Sequence, residues 1–164
     1  MQNKSKKTLQ FLTLAAVIAA LYVAFTYLAA LLGLASRAVQ VRLSEALVAL
    51  VIFTPAAIPG MTLGCLLANL LTGCLPQDVL FGTLATLLGA LGGYALRRIP
   101  WLAPLPTVVA NMVIVPLVLI YAYGLGDAYW FLLLTVGAGE LISAQGLGTL
   151  LYLALRKHPR LFRH

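Results

Sequence analysis

The chain has only four acidic residues among 164, and three of them, Glu45, Asp78 and Glu140, fall inside or at the edge of long apolar stretches. A charged group at the centre of a bilayer costs at least ~2.5 to 3.5 kcal/mol, so each is expected to face the protein interior and to have a partner or a task. Asn69, Asn111 and Gln145 lie in similar surroundings. Carboxylates and amides converging between apolar helices can accept and donate hydrogen bonds to a small polar solute, which is the chemistry of a binding pocket. Structural roles compete with this reading. Arg42, three residues before Glu45, can form a local ion pair with it, and the two asparagines can simply bond neighbouring helices. Asp78, after Pro76-Gln77, is placed to cap a helix. Glu140 is flanked by Gly137, Gly139 and Ser143 with no basic residue within a turn, and its structural excuse is the weakest.

The elements that must carry these residues follow from composition. With 62% hydrophobic residues, 9% charged residues and a mean hydropathy of +1.01, the chain is too apolar to cover itself with a soluble surface. The apolar runs are continuous instead of alternating, which selects helices over barrel strands. Breaks at Arg37, Pro55, Pro59-Gly60, Pro76, Arg97-Arg98 and Gly124 to Asp127 divide one membrane domain into six transmembrane helices, at about 8–34, 43–54, 60–74, 78–96, 101–123 and 128–155. The second and third are shorter than the ~20 residues of an ordinary crossing, so a re-entrant hairpin with its tip at 55–60 is the alternative. Six crossings put Lys4, Lys6, Lys7, Arg97, Arg98, Arg156, Lys157, Arg160 and Arg163 on one side and only Arg37 and Arg42 on the other. By the positive-inside rule this is a multi-pass protein of the cell membrane with both termini cytoplasmic. The run after Lys4 to Lys7 is too long for a signal peptide and reads as a retained first helix.

Several functions are excluded. The net charge of +7 comes from basic residues at helix ends, without the interleaved aromatics of a nucleic-acid groove, so lipid and not nucleic acid is the expected contact. Cys65 and Cys74 lie roughly 13 Å apart along one helix, too far for a disulfide, and read as packing residues. His158 and His164 both fall in the basic tail, leaving no His/Cys/acid cluster, and neither a metal nor a cofactor is expected. No nucleotide-binding loop or nucleophile elbow is present, so the chain is not expected to be an enzyme and any concentrative uptake draws on a partner or an ion gradient.

Small residues mark close helix contacts. The first helix carries Ala15, Ala16, Ala19 and Ala20 in overlapping small-x-x-x-small spacings, a docking face for another membrane protein if it points outward; Gly60 and Gly64, and Gly82, Gly89 and Gly93, read as internal packing.

Arg42-Leu-Ser-Glu45-Ala-Leu, Phe53-Thr-Pro55-Ala-Ala-Ile-Pro59-Gly60, Gly64-Cys-Leu-Leu-Ala-Asn69-Leu-Leu and Asp78-Val-Leu-Phe-Gly82-Thr-Leu-Ala-Thr86-Leu together resemble the QueT family, substrate-binding (S) components of energy-coupling factor (ECF) transporters. The resemblance covers roughly residues 8–98. It implies an S-component-like six-helix bundle with an outward pocket, uptake of a queuosine precursor of the 7-deazaguanine type, and association with a membrane coupling protein and two cytoplasmic ATPases. It also implies docking through an Ala-x-x-x-Ala motif matched by Ala15–Ala19 or Ala16–Ala20. In the expected transport cycle, loops 36–41 and 74–77 close over the base.

The residues suit such a ligand. A guanine-type base offers a ring N–H beside an amine, two parallel donors for a carboxylate such as Glu45 or Glu140, while Asn69 or Asn111 can meet its carbonyl. Trp130, Tyr129, Phe81 or Tyr27 can stack on the ring. Arg42 and Asp78 complete the candidates. A stand-alone proton-coupled carrier of a purine-like solute, with Glu140 as proton site, remains the rival.

Overall fold

The computed structural model describes residues 2–34 and 41–157. Arg37, residues 36–40 of the expected closing loop 36–41, and His158, Arg160, Arg163 and His164 lie outside the described residues. Among those described there is no strand; the chain forms six helical rods. They are α1 (Gln2–Leu31), a 3-10 helix (Leu43–Ile52), α2 (Ala57–Leu71), α3 (Pro76–Ala95), α4 (Leu105–Tyr121), and a last rod in which α5 (Tyr129–Glu140) runs through a π-helical stretch (Leu141–Leu147) into α6 (Gly148–Leu155).

Helix bounds depart from the sequence reading where proline acts. Ala57 starts α2 three residues before the expected turn at Gly60, because Pro59 sits in the first turn, where its missing N–H costs nothing. Likewise Pro76 is the first residue of α3, which makes Asp78 a first-turn residue and not the cap; the N-cap is Leu75. There the carboxylate is stabilised by the positive end of the helix dipole. Pro100 and Pro104 hold 99–104 in turns and delay α4 to Leu105.

The second rod is the largest departure. Every residue from Ser44 to Val51 is buried, and the helix is wound with three residues per turn over ten residues, an unusually long run. At ~2.0 Å per residue it covers ~20 Å instead of the ~15 Å of an α-helix, so a short segment reaches far through the bundle. It lies at the centre, touching α1, α2, α3, the π stretch and α6. At its far end Phe53 stacks on Tyr152, 5.7 Å between ring centres, and Trp101 meets Tyr152 edge-on at 6.2 Å. The tip of the second and third rods thus reaches the level at which α3 hands over to α4.

Glycines set the spacing around this centre. A Cβ on Gly60 would stand 2.8 Å from the Ala15 carbonyl oxygen, and one on Gly64 2.6 Å from Tyr22 Cβ. α1 and α2 therefore lie backbone to backbone, running in the same direction. Ala15 and Ala19 face this seam and are buried, whereas Ala16 and Ala20 face outward. Gly89 similarly receives Thr107 of α4, and Gly93 the Ala103 carbonyl in the turn before it.

The outer surface is apolar, with Leu31, Leu63, Leu80, Leu134 and Leu150 all more than half exposed. Ser5–Leu31, Pro76–Ala95 and Tyr129–Leu155 are long and apolar enough to cross a membrane; Leu43–Ile52, Ala57–Leu71 and Leu105–Tyr121 are apolar but shorter. Following the rods, Lys6, Lys7, Arg97, Arg98, Arg156 and Lys157 gather at one end of the bundle, and Arg42, Asp78 and Asp127 lie toward the other.

Substituting Gly64→Val forces α1 off α2 and is expected to cost about 1 to 3 kcal/mol. Thermal unfolding in detergent checks this against Gly126→Ala, where nothing lies within 4 Å of an added Cβ and stability is expected to hold.

Candidate functional site

At the end of the bundle away from the basic cluster, α1, the start of the 3-10 helix, α2, the first turn of α3 and the end of α4 enclose a cavity of about 390 Å³. Two helix ends shape its rim through glycines with left-handed backbone. Gly73 (φ 73°) closes α2 and turns Cys74 into the wall; Gly124 (φ 68°) closes α4 between Tyr123 and Leu125, which both line the cavity. In each case the N–H after the glycine bonds back into the last helical turn, Cys74 to Asn69 O and Leu125 to Leu119 O, satisfying carbonyls that the helix end leaves open.

The polar lining is Arg42, Asn69, Asp78, Ser44, Thr26, Thr72 and the hydroxyls of Tyr22 and Tyr123, set among alanine, valine and leucine. Asn69 and Asp78 are each 8% exposed. The Asn69 amide makes a weak contact, Nδ2 to Cys65 Sγ at 3.6 Å, and Asn69 lines the cavity. Tyr123 donates to Asp78 Oδ2 at 2.9 Å and accepts from the Leu75 N–H at 3.3 Å, pinning the loop after α4 onto the start of α3. Burial, together with the neighbouring Asp78 carboxylate, pushes the Tyr123 phenol up to about 12. Thr26 and Ser44 hydroxyls stand 3.1 Å apart.

Glu45 is not in the wall. It is completely buried, and Tyr22, which does line the cavity, donates its hydroxyl to Glu45 Oε1. Tyr22 is therefore the floor of the cavity and the roof over Glu45. Arg42 attracts this carboxylate electrostatically, but Glu45 Oε2 accepts no hydrogen bond, so the local Arg42–Glu45 pair is an attraction and not a closed salt bridge. Deeper still, Glu140 at the end of α5 stands next to Asn111 of α4, within electrostatic reach of Glu45 and Arg42. Glu140 is 3% exposed and Asn111 fully buried, and neither lines the cavity.

Of the candidate residues, the structure thus brings Arg42, Asn69 and Asp78 to the cavity and places Glu45, Glu140 and Asn111 in a layer beneath it. Trp130 is 72% exposed on the outside of α5. Tyr129 and Tyr27 also lie outside the lining, bonding to the Val113 and Leu71 carbonyls, and Phe81 lines a separate apolar groove between α3 and α4 with Gln77 and Tyr121. The aromatic residues that do reach the cavity, Tyr22 and Tyr123, escape sequence reasoning. Their one available signal is that a tyrosine hydroxyl buried in an apolar helix needs an acceptor, and acids are few. Cys74, read as packing, is a free thiol in the cavity wall, and Cys65 a buried one. Among the described residues no group of three or more His, Cys, Asp or Glu gathers at one point.

Removing the latch in Tyr123→Phe is expected to lower stability by about 1 kcal/mol, the low end for a hydrogen bond to a carboxylate because Tyr123 is 41% exposed and solvent screens the charge. Because the phenol's folded value, about 12, lies above its ordinary 10.0, the contribution is full below pH 10 and lost between 10 and 12. The difference in unfolding midpoint between wild type and variant, followed from neutral to alkaline pH, is therefore expected to persist to pH 10 and then to shrink.

The family model of the QueT transporter matches residues 12–157. No curated protein and no solved structure matches the chain. The family is one of transporters and not of enzymes, in keeping with an apolar helical bundle that holds a partly open cavity. The chain belongs to the QueT transporter family.

Proposed function

We propose that this protein is the substrate-capture subunit of an ECF-type importer that takes up a queuosine precursor, queuine or a 7-cyano- or 7-aminomethyl-7-deazaguanine, and that it works with a membrane coupling protein and two cytoplasmic ATPases. The observation that carries the reading is the cavity. Its volume, about 390 Å³, is within the ~300 to 1,000 Å³ of small-molecule sites, and it combines apolar walls with one carboxylate, one guanidinium and one amide. In this reading Asp78 takes the ring N–H and exocyclic amine, Asn69 and Arg42 address the base's polar edge, and Tyr22 and Tyr123 flank the ring. An adenine-type base would leave the carboxylate without its paired donors, a mismatch that a polar site rejects strongly.

The charge asymmetry supports an orientation with the basic end cytoplasmic, the cavity opening outward and six crossings. The outward-facing pair Ala16 and Ala20 is the part of the alanine pattern free to receive a coupling helix, since Ala15 and Ala19 already pack on α2.

Calorimetric titration of the purified chain with 7-deazaguanine bases tests the capture role. Binding of at least one base but not of adenine is expected, with affinity falling tenfold or more in Asp78→Asn; equal affinity in wild type and variant rules out carboxylate recognition at this position. Ala16→Leu with Ala20→Leu is expected to abolish co-purification with the coupling protein while leaving base affinity intact. Uptake in vesicles that needs no added ATPases, and follows a pH gradient instead, would favour a stand-alone carrier.

A further inference from the structure

Five hydroxyls line the cavity, those of Tyr22, Thr26, Ser44, Thr72 and Tyr123, and each has a single proton to give. Four of these protons are engaged inside the protein. Tyr22 donates to Glu45, Thr26 to the Tyr22 carbonyl one turn back at 2.9 Å, Thr72 to the Ala68 carbonyl at 2.7 Å, and Tyr123 to Asp78 at 2.9 Å. The fifth follows from them. Thr26 Oγ1 also stands 3.1 Å from Ser44 Oγ, and because the Thr26 proton already serves the Tyr22 carbonyl, both contacts hold only when Ser44 donates to Thr26. Ser44 Oγ then keeps both lone pairs, and among the described residues no group donates to it. It belongs to a residue 1% exposed in the cavity wall, where an acceptor without a donor is costly.

The cavity has two polar sides. Asp78 and Tyr123 come from the first turn of α3 and the end of α4, Thr26 and Ser44 from α1 and the start of the 3-10 helix, and α2 packs against both α1 and α3. A guanine-type base is polar at two ends as well. Its ring N–H and amine lie on the six-membered ring, and a further N–H lies on the five-membered ring at the other end. With the first pair of donors on Asp78, the base turns its five-membered ring toward Ser44. We propose that Ser44 is a specificity-determining residue that accepts the N–H of the ligand's five-membered ring, and that Thr26 is its positioning residue, holding the Ser44 proton away from the ligand. The site therefore takes a free base and rejects one substituted at that nitrogen, as in a nucleoside. A substituted nitrogen has no proton to offer and leaves the Ser44 acceptor unpaired, a penalty separate from bulk. This inference rests on the capture role proposed above for the same cavity.

The test is calorimetric titration of the full chain, purified in detergent, with 7-deazaguanine and with 9-methyl-7-deazaguanine, which differ by one methyl group on the nitrogen in question. The wild type is expected to prefer the unmethylated base at least tenfold. Ser44→Ala is expected to shrink this preference by about threefold to tenfold, weakening the unmethylated base and leaving the methylated one unchanged. Thr26→Val, which frees the Ser44 proton to turn into the cavity, moves the ratio in the same direction. Asp78→Asn weakens both bases and keeps their ratio, so that loss of capture and loss of discrimination are read separately. Equal affinity of the wild type for the two bases, or a preference undiminished in Ser44→Ala, overturns the proposal while the capture role stands. Binding of neither base by the wild type overturns both.

Discussion

The hydrogen bond from Tyr22 to Glu45 is the contact on which the interior is organised. It joins α1 to the central 3-10 helix, closes the cavity from below and covers the deepest acids from above. It exists only because α1 lies against Gly64 at backbone distance, which brings Tyr22 Cβ over α2 and its hydroxyl to a carboxylate that has no access to solvent. In a soluble protein an ionisable group of this kind can turn outward to water. Here the exterior is leucine, and the acid must be met from within.

Polar satisfaction is graded along the bundle. Near the rim Asp78 holds a bond from Tyr123, the helix ends are closed by glycine turns, and Thr26 and Ser44 are neighbours. One layer down, Glu45 is half satisfied, and below it Asn111, Glu140 and Ser143 carry open valences. Both irregular helices of the molecule, the 3-10 run and the π stretch, pack on each other at that depth. Non-α winding at the level of the unpaired acids is what a binding or switching element shows more often than a purely structural one.

The buried polar residues of the interior were open to inspection in the amino-acid order, though not which of them reach the cavity. Glu45, Asn69, Asp78, Asn111 and Glu140 stand out because charge and amide groups are rare in runs of this hydropathy, and rarity is a property of the sequence alone. The aromatic partners were not. Tyr22 and Tyr123 resemble any amphipathic tyrosine of a membrane segment, while Trp130 and Phe81, equally plausible by type, face outward. Which side of a helix meets its neighbours depends on the rotation of the rod about its axis, and in a helix apolar all round no stripe records that rotation. The alanines make the same point: four candidates at one spacing divide into two that pack on glycine and two that do not.

Composition, rod number and the basic end therefore followed from the order of residues, because hydropathy, proline, glycine and lysine act locally and through the solvent. The winding of Leu43–Ile52, the separation of Asp78 in the cavity wall from Glu45 and Glu140 beneath it, and the placing of Tyr22 between them were decided by tertiary packing alone. Those outcomes depend on distances between chain segments far apart in sequence, and no local propensity encodes how closely two helices touch.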